Sequence, residues 1–259
     1  MSRPQALLQA EDLCVSVAGI RVCDGLDLRV EAGQSWAILG RNGAGKTTLL
    51  HVLAGLRPPD AGRLEMHGEA VEDLSPHRRA LQRAVLFQDD ADPFPASVLE
   101  SALAGRFPHL GRWGWERAAD LAAANRALEA VDLAASAARD VQTLSGGERR
   151  RLAIATLLAQ EPRLALLDEP TNHLDPHYQI LVLDLLGRQL RGEDRGLVTV
   201  LHDVNLALRF CDHALLLFGD GQWCGGPTPS LVTETSLTRL YGHPMALIGG
   251  PRGPVAVPG

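Results

Sequence analysis

The chain has a single lysine, Lys46; every other basic side chain is arginine. Basic residues are in the minority, 25 Lys+Arg against 31 Asp+Glu, for a formal net charge of −6. That balance disfavours a general electrostatic grip on nucleic acid and leaves only a local basic patch open. Long hydrophobic runs are also missing. No apolar stretch approaches the roughly 18 residues that a membrane span requires, and the apolar segment 214–218 is far too short. A membrane role therefore has to run through partners. The N-terminus places Arg3, Glu11 and Asp12 around short apolar stretches. It has no signal-peptide core, so the expectation is a chain that is not secreted. The four cysteines, Cys14, Cys23, Cys211 and Cys224, form no C-x-x-C pair and no zinc-ligand spacing. They are expected to be buried thiols in a reducing compartment.

What is present points to one α/β domain with a subdomain. At 259 residues the chain can bury a sizeable core. Strand-like alternation runs through Leu13, Val15 and Val17, then Val22, Leu26, Leu28 and Val30. A short apolar strand, 35–39, enters a glycine-rich loop, and a helical pattern follows until Pro58 and Pro59 stop it. Further strands are expected at 63–67 and 84–87. The alanine-rich stretch 97–137 has helical spacing at Leu121, Leu128 and Val131. Beyond it, strands (164–167, 197–201, 214–218) alternate with helices (176–190, 204–210), the pattern of a largely parallel sheet. From Gly249 the composition is Gly/Pro-rich, and residues 249–259 are expected to form a flexible tail.

The glycine loop carries the first chemistry. Gly40-Arg41-Asn42-Gly43-Ala44-Gly45-Lys46-Thr47-Thr48 fits G-x-x-x-x-G-K-[ST] between a strand and a helix. Gly43 and Gly45 let the backbone curl so that its N–H groups face inward, which with the helix N-terminus makes an anion cradle. Lys46 is a slender point charge for the β- and γ-phosphates, where a planar guanidinium would not substitute, and the Thr47 hydroxyl can ligate Mg²⁺. A second element is the apolar strand 164–167 ending in Asp168-Glu169-Pro170. It delivers two acids to the carboxyl end of a strand, where α/β proteins bind ligands. Asp168 suits Mg²⁺, and Glu169 suits a water-orienting base. A third is Leu144-Ser145-Gly146-Gly147-Glu148, another glycine turn opening a helix and so a second anion site. Two such sites imply one nucleotide held between two surfaces.

In this order the glycine loop, LSGGE at 144–148, the acid pair at 168–169 and His202 resemble the ATP-binding subunit of an ABC transporter, over most of the chain. The resemblance implies an α/β P-loop NTPase (RecA-like) core, with an antiparallel β edge and an inserted α-helical subdomain. The core is placed at about 1–93 and 160–248, the helical part at about 94–159. It implies ATP and Mg²⁺ as cofactors and a homodimer pairing head to tail. Ser145, Gly146 and Gly147 of one subunit then complete the ATP site of the other, with Asp175 as the D-loop acid. Gln88 is implied as the Q-loop residue near Mg²⁺, and His202 as the switch histidine at the γ-phosphate. Two permease subunits, an extracytoplasmic binding protein and a place on the cytoplasmic face of the inner membrane follow from the same resemblance; no nucleic-acid partner does. One position departs from the family. An aromatic residue usually stacks on adenine after the first strand, and Val17 stands there instead.

The segment 105–109 (Gly-Arg-Phe-Pro-His), Ala159-Gln160 and the run 202–212 resemble the importers of iron–siderophore, haem and cobalamin. Another importer class, an exporter, or a soluble nucleic-acid-associated ABC ATPase are the alternatives. The single short cassette and the acidic balance weigh against the last. A P-loop GTPase is excluded, because its N-K-x-D motif needs a second lysine. Trp113 and Trp115 read as packing inside the helical part or as grip on a permease. Arg149–Arg151 reads as a solvated helix face, and Asp89, Asp90 and Asp92 as a solvated acidic loop.

Overall fold

The computed structural model describes residues 6–88, 95–111, 115–172, 174–251 and 253–259. Asp89, Asp90, Asp92, Trp113 and His173 lie outside them. Strands β1 (Ala6–Val17) and β2 (Ile20–Glu31) form an antiparallel pair, followed by β3 (Ser35–Gly40) and α1 (Lys46–Leu53). Next come β4 (Ala61–Met66), β5 (Glu69–Ala70), α2 (Pro76–Gln82) and β6 (Arg83–Leu86). Three helices follow, α3 (Val98–Ala104), α4 (Ala118–Ala130) and α5 (Gly146–Ala159). The chain then alternates through β7 (Leu164–Asp168), α6 (Pro176–Leu190), β8 (Gly196–Val200), α7 (Val204–Phe210) and β9 (His213–Leu217). It ends with β10 (Trp223–Pro227), α8 (Thr228–Leu231), α9 (Glu234–Tyr241), β11 (Met245–Gly250) and β12 (Gly253–Pro258).

Two sheets dominate. The antiparallel one has the order β2-β1-β4-β5, and the larger one β10-β9-β3-β8-β7-β6. In the larger sheet every neighbouring pair is parallel except the edge pair β10–β9. Parallel sheets are buried on both faces, and β3 shows how. Trp36 and Ile38 face a core shared with α1 and the antiparallel sheet, while Ala37 and Leu39 face the core of the helical side. Because β3, β8, β7 and β6 run parallel, their carboxyl ends share one edge. The glycine loop, His202, the acid pair and Gln88 each follow one of these strands.

The helical part is fastened to the core by buried polar contacts. Arg106, 7% exposed, pairs with Asp120 at 3.0 Å and donates to the Ala159 carbonyl at 2.7 Å within the helical part, and pairs with Glu161, just beyond it, at 2.9 Å. Gln160 Nε2 donates to the carbonyls of Ala80 and Arg83. Several residues singled out by sequence therefore have a plain structural task. Trp115, by contrast, is 79% exposed among the described residues. All four cysteines are free; Cys23 and Cys211 are buried, Cys14 and Cys224 half-buried.

The expected flexible tail, 249–259, is corrected. Strands β11 (Met245–Gly250) and β12 (Gly253–Pro258) pair antiparallel, continuously from Met245↔Pro258 to Gly250↔Gly253. Composition concealed a tertiary contact: Asn205 on α7 donates to the Ala256 carbonyl at 3.2 Å and accepts from its N–H at 2.8 Å. A side-chain amide thus supplies what a neighbouring strand would, and Ala256 is buried. Asn205→Ala leaves that peptide group unpaired, at a cost of about 1–3 kcal/mol. The thermal midpoint should fall by roughly 2–4 °C per kcal/mol. A melting curve superimposable on the wild type would mean that the hairpin is not held there.

Candidate active site

The glycine loop is shaped by close approach as much as by turn geometry. Gly45 has φ +86°, and a β-carbon there would lie 2.3 Å from Val22 Cγ2. It opens α1 with no side-chain cap and no acid in the first turn, so the first-turn N–H groups are left to face an anion. Lys46 is 6% exposed and folds back on the loop, donating from Nζ to the carbonyls of Gly40 (3.0 Å) and Arg41 (3.1 Å). Burial pulls its pKa down, and the nearby charges of Glu169 and Asp168 oppose that.

Glu169 is the hub. It is 6% exposed and holds a left-handed backbone, φ +48°, a conformation that a β-carbon resists. Its Oε1 pairs with His202 Nε2. Its Oε2 accepts from Gln88 Nε2 at 3.1 Å and from Asn172 Nδ2. A backbone turn, Asn172 N–H to the Glu169 carbonyl at 3.1 Å, brings Asn172 into reach.

Asp168 lies behind this hub, fully buried. Neither carboxylate oxygen has a hydrogen-bond partner among the described residues. Burial pushes its pKa up. The Thr47 hydroxyl, which opposes that rise, faces it outside good hydrogen-bond geometry. An orphaned, sealed carboxylate beside a hydroxyl fits a hard cation that takes oxygen ligands. The sign of the pH effect follows. With the folded pKa above the unfolded one, the stability linked to this group is full below the unfolded pKa and is lost as pH rises through the folded pKa. Asp168→Asn should therefore outlast the wild type in thermal melts at neutral pH without Mg²⁺, and the gap should close toward acid pH. Added Mg²⁺ should raise the wild-type midpoint only. A variant less stable than wild type at neutral pH would overturn this account.

A cavity of about 430 Å³ is lined by Asn42, Gly43, Gly45–Thr48, Val17, Gln88, Glu169 and His202. The structure thus gathers most of the sequence-predicted residues around one space, with the aliphatic Val17 at its wall. Gly40 and Arg41 act from behind through their carbonyls, and Ala44 is buried. Ser145, Gly146, Gly147 and Asp175 are not in its lining. Ser145 instead caps α5 in a reciprocal box with Glu148: its Oγ accepts from Glu148 N at 3.3 Å, while Glu148 Oε2 accepts from Ser145 N at 2.8 Å. These bonds and the Arg139 guanidinium hold the Glu148 carboxyl at about 2. Asp175 caps α6 by accepting from Tyr178 N.

Two side chains in contact with the acid pair escaped the sequence reading. Asn172 lies three residues after Glu169, a spacing that turns back onto it. Arg150 belongs to the expected solvated face, which is corrected. Arg150 is 5% exposed, and Arg151 donates to the Val131 carbonyl and lies 4.8 Å from the Tyr178 ring centre. Only Arg149 of the three is exposed.

Comparison with known proteins agrees with this architecture. A family model described as ABC transporter matches residues 23–172. The hemin import ATP-binding protein HmuV of Streptomyces coelicolor is 40% identical over 248 residues, 96% of this chain and 88% of that protein. The cobalamin import ATP-binding protein BtuD of Halobacterium salinarum is 38% identical over 230 residues, 88% of this chain and 57% of that longer protein. A solved ABC transporter described as of metal-chelate type, in an inward-facing conformation, superposes with a TM-score of 0.84 at 29% identity. That match covers 98% of this chain and 97% of the other. By sequence, fold and the residues around its cavity, the chain belongs to the ABC transporter family and is one of its ATPases.

Proposed function

We propose that this chain is the ATP-hydrolysing subunit of an import system for haem, cobalamin or an iron–siderophore. It works as a homodimer at the cytoplasmic face of the inner membrane. Two permease subunits carry the substrate across after an extracytoplasmic binding protein delivers it, and no nucleic acid takes part. The observation that carries the ATPase chemistry is the convergence of Lys46, Gln88, Glu169 and His202 on one cavity. The substrate class rests on the relatives named above.

ATP enters with its phosphates on the loop N–H groups and on Lys46. Thr47, Asp168 and Gln88 would hold Mg²⁺, which when bound neutralises charge on the phosphates. Water oxygen bonds to the γ-phosphorus, the bond to the β–γ bridging oxygen breaks, and ADP leaves with the electron pair. The water proton passes to a Glu169 carboxylate oxygen. In the present arrangement both of those oxygens are engaged. Nucleotide entry would draw His202 from Glu169 toward the γ-phosphate, opening Oε1 further to water. Oriented donors around developing charge supply the rate. Ser145, Gly146 and Gly147 would close over the phosphates from the second subunit, and Asp175 would sit at the same interface. Closing and reopening would drive the permease between its two states.

Uptake by cells lacking this chain tests the substrate class. Uptake of haem, cobalamin or ferric siderophore should be lost and then restored by the wild type but not by Lys46→Ala. Normal uptake of all three would reject the import assignment.

A further inference from the structure

One guanidinium binds the backbone at the ends of the adjacent strands β6 and β7, the segments that present Gln88 and the acid pair. Arg150 sits one turn into α5, on the face that also carries Ile154 and Leu157, and is 5% exposed. Its Nη1 donates to the Phe87 carbonyl at 2.6 Å. Its Nη2 donates to the carbonyls of Asp168 at 2.7 Å and Glu169 at 2.8 Å, and Nε to that of Pro170 at 3.3 Å. Three consecutive peptide groups around the acid pair, and the one before Gln88, thus converge on a single side chain. Arginine alone offers enough donors in a rigid planar fork for such a set.

We infer that Arg150 is a positioning residue for hydrolysis: by pinning these carbonyls it holds Glu169 in its left-handed backbone, with the carboxylate directed at Gln88 and His202. Glu169 needs such restraint, because φ +48° persists only where surroundings over-determine it. Relaxation of that backbone would swing the carboxylate out of line with the attacking water. Among the described residues Arg150 donates to no phosphate-binding group on β3 or α1, so affinity for nucleotide titrated without Mg²⁺ should be spared. The inference rests on the reading of Glu169 as the base.

The test compares Arg150→Gln, Glu169→Gln and the double variant by single-turnover hydrolysis and nucleotide titration, with rates expressed per nucleotide-binding site. Arg150→Gln should lower the rate by about 10–10²-fold, the effect of a small misplacement of a reacting group, with nucleotide affinity, titrated without Mg²⁺, within about twofold of wild type. It should slow Glu169→Gln no further, because it acts through that residue. A role confined to stability would lower the melting temperature and leave the rate per site unchanged, which overturns the inference. Losses that multiply in the double variant overturn it as well. A wild-type rate in Glu169→Gln removes the base reading itself. A slow Glu169→Gln beside a full-rate Arg150→Gln removes only the inference. Should Arg150→Gln not fold, Arg150→Lys is read by the same criteria. It keeps the charge but cannot span both strands, so full activity there also overturns the inference.

Discussion

Glu169→Gln lowers ATP hydrolysis by about 10²–10⁴-fold, the usual contribution of a positioned general base, and leaves nucleotide binding intact. The hydrogen-bond inventory explains why the change is selective. Glu169 accepts at Oε2 from Gln88 and Asn172, and pairs at Oε1 with His202. A glutamine can reproduce that net. Its oxygen has two lone pairs for Gln88 and Asn172, and its NH₂ can donate to an unprotonated Nε2 of His202. The strained turn and the Arg150 contacts are made by backbone and stay in place. What disappears is the ability to take a proton from water. The expected phenotype is therefore a folded protein that binds ATP, hydrolyses it slowly and accumulates as an ATP-bound dimer. Steady-state hydrolysis at the wild-type rate would sink the assignment of Glu169. A loss of ATP binding equal to the loss of rate would place it in binding rather than in chemistry.

Much of this site is legible in the sequence because it depends on local geometry. The glycine loop needs positive φ and space, so Gly43 and Gly45 announce it. Helix α6 begins at Pro176 behind Asp175, and α7 begins behind Asp203, each an N-cap that fixes the boundary. The strands that deliver the site are short apolar runs, read to within a residue or two. What stayed hidden depends on tertiary partners. The β11–β12 pair is tied to α7 through Asn205, and Gly/Pro composition alone says nothing of that partner. The three arginines at 149–151 look alike as charges. Yet Arg150 lies four and seven residues before Ile154 and Leu157, on the buried face of α5. Helical spacing placed it inside; its charge argued for outside. Only the carbonyls at the ends of β6 and β7 decide between them. Trp115 shows the converse, an aromatic residue that composition would bury and the fold leaves exposed.

Mixing Lys46→Ala subunits with Ser145→Arg subunits, each inactive alone, should restore hydrolysis. The prediction starts from a mismatch within one chain. The first-turn N–H groups of Gly146 and Gly147 have no acceptor inside the helix, yet neither residue lines the cavity that holds Lys46. Ser145 and Gly146 are exposed instead, so the turn lies open outside the cavity of its own glycine loop. If each nucleotide lies between the loop of one subunit and the 145–147 turn of another, a mixed dimer has two unlike sites. One combines both lesions. The other combines the intact loop of the Ser145→Arg chain with the intact turn of the Lys46→Ala chain, and it should turn over. Loss of the Ser145 cap costs about 1 kcal/mol of helix stability, too little to unfold α5, whose inner face is buried. Arginine at 145 also puts bulk and charge where the facing phosphates would lie, so the homodimer should bind ATP but not close on it. Heterodimers isolated through two different tags should recover activity from one site of the two, in proportion to their fraction in the mixture. If verified heterodimers stay as inactive as either parent, the turn and the loop do not meet across subunits, and the cavity of a single chain must suffice for binding and hydrolysis.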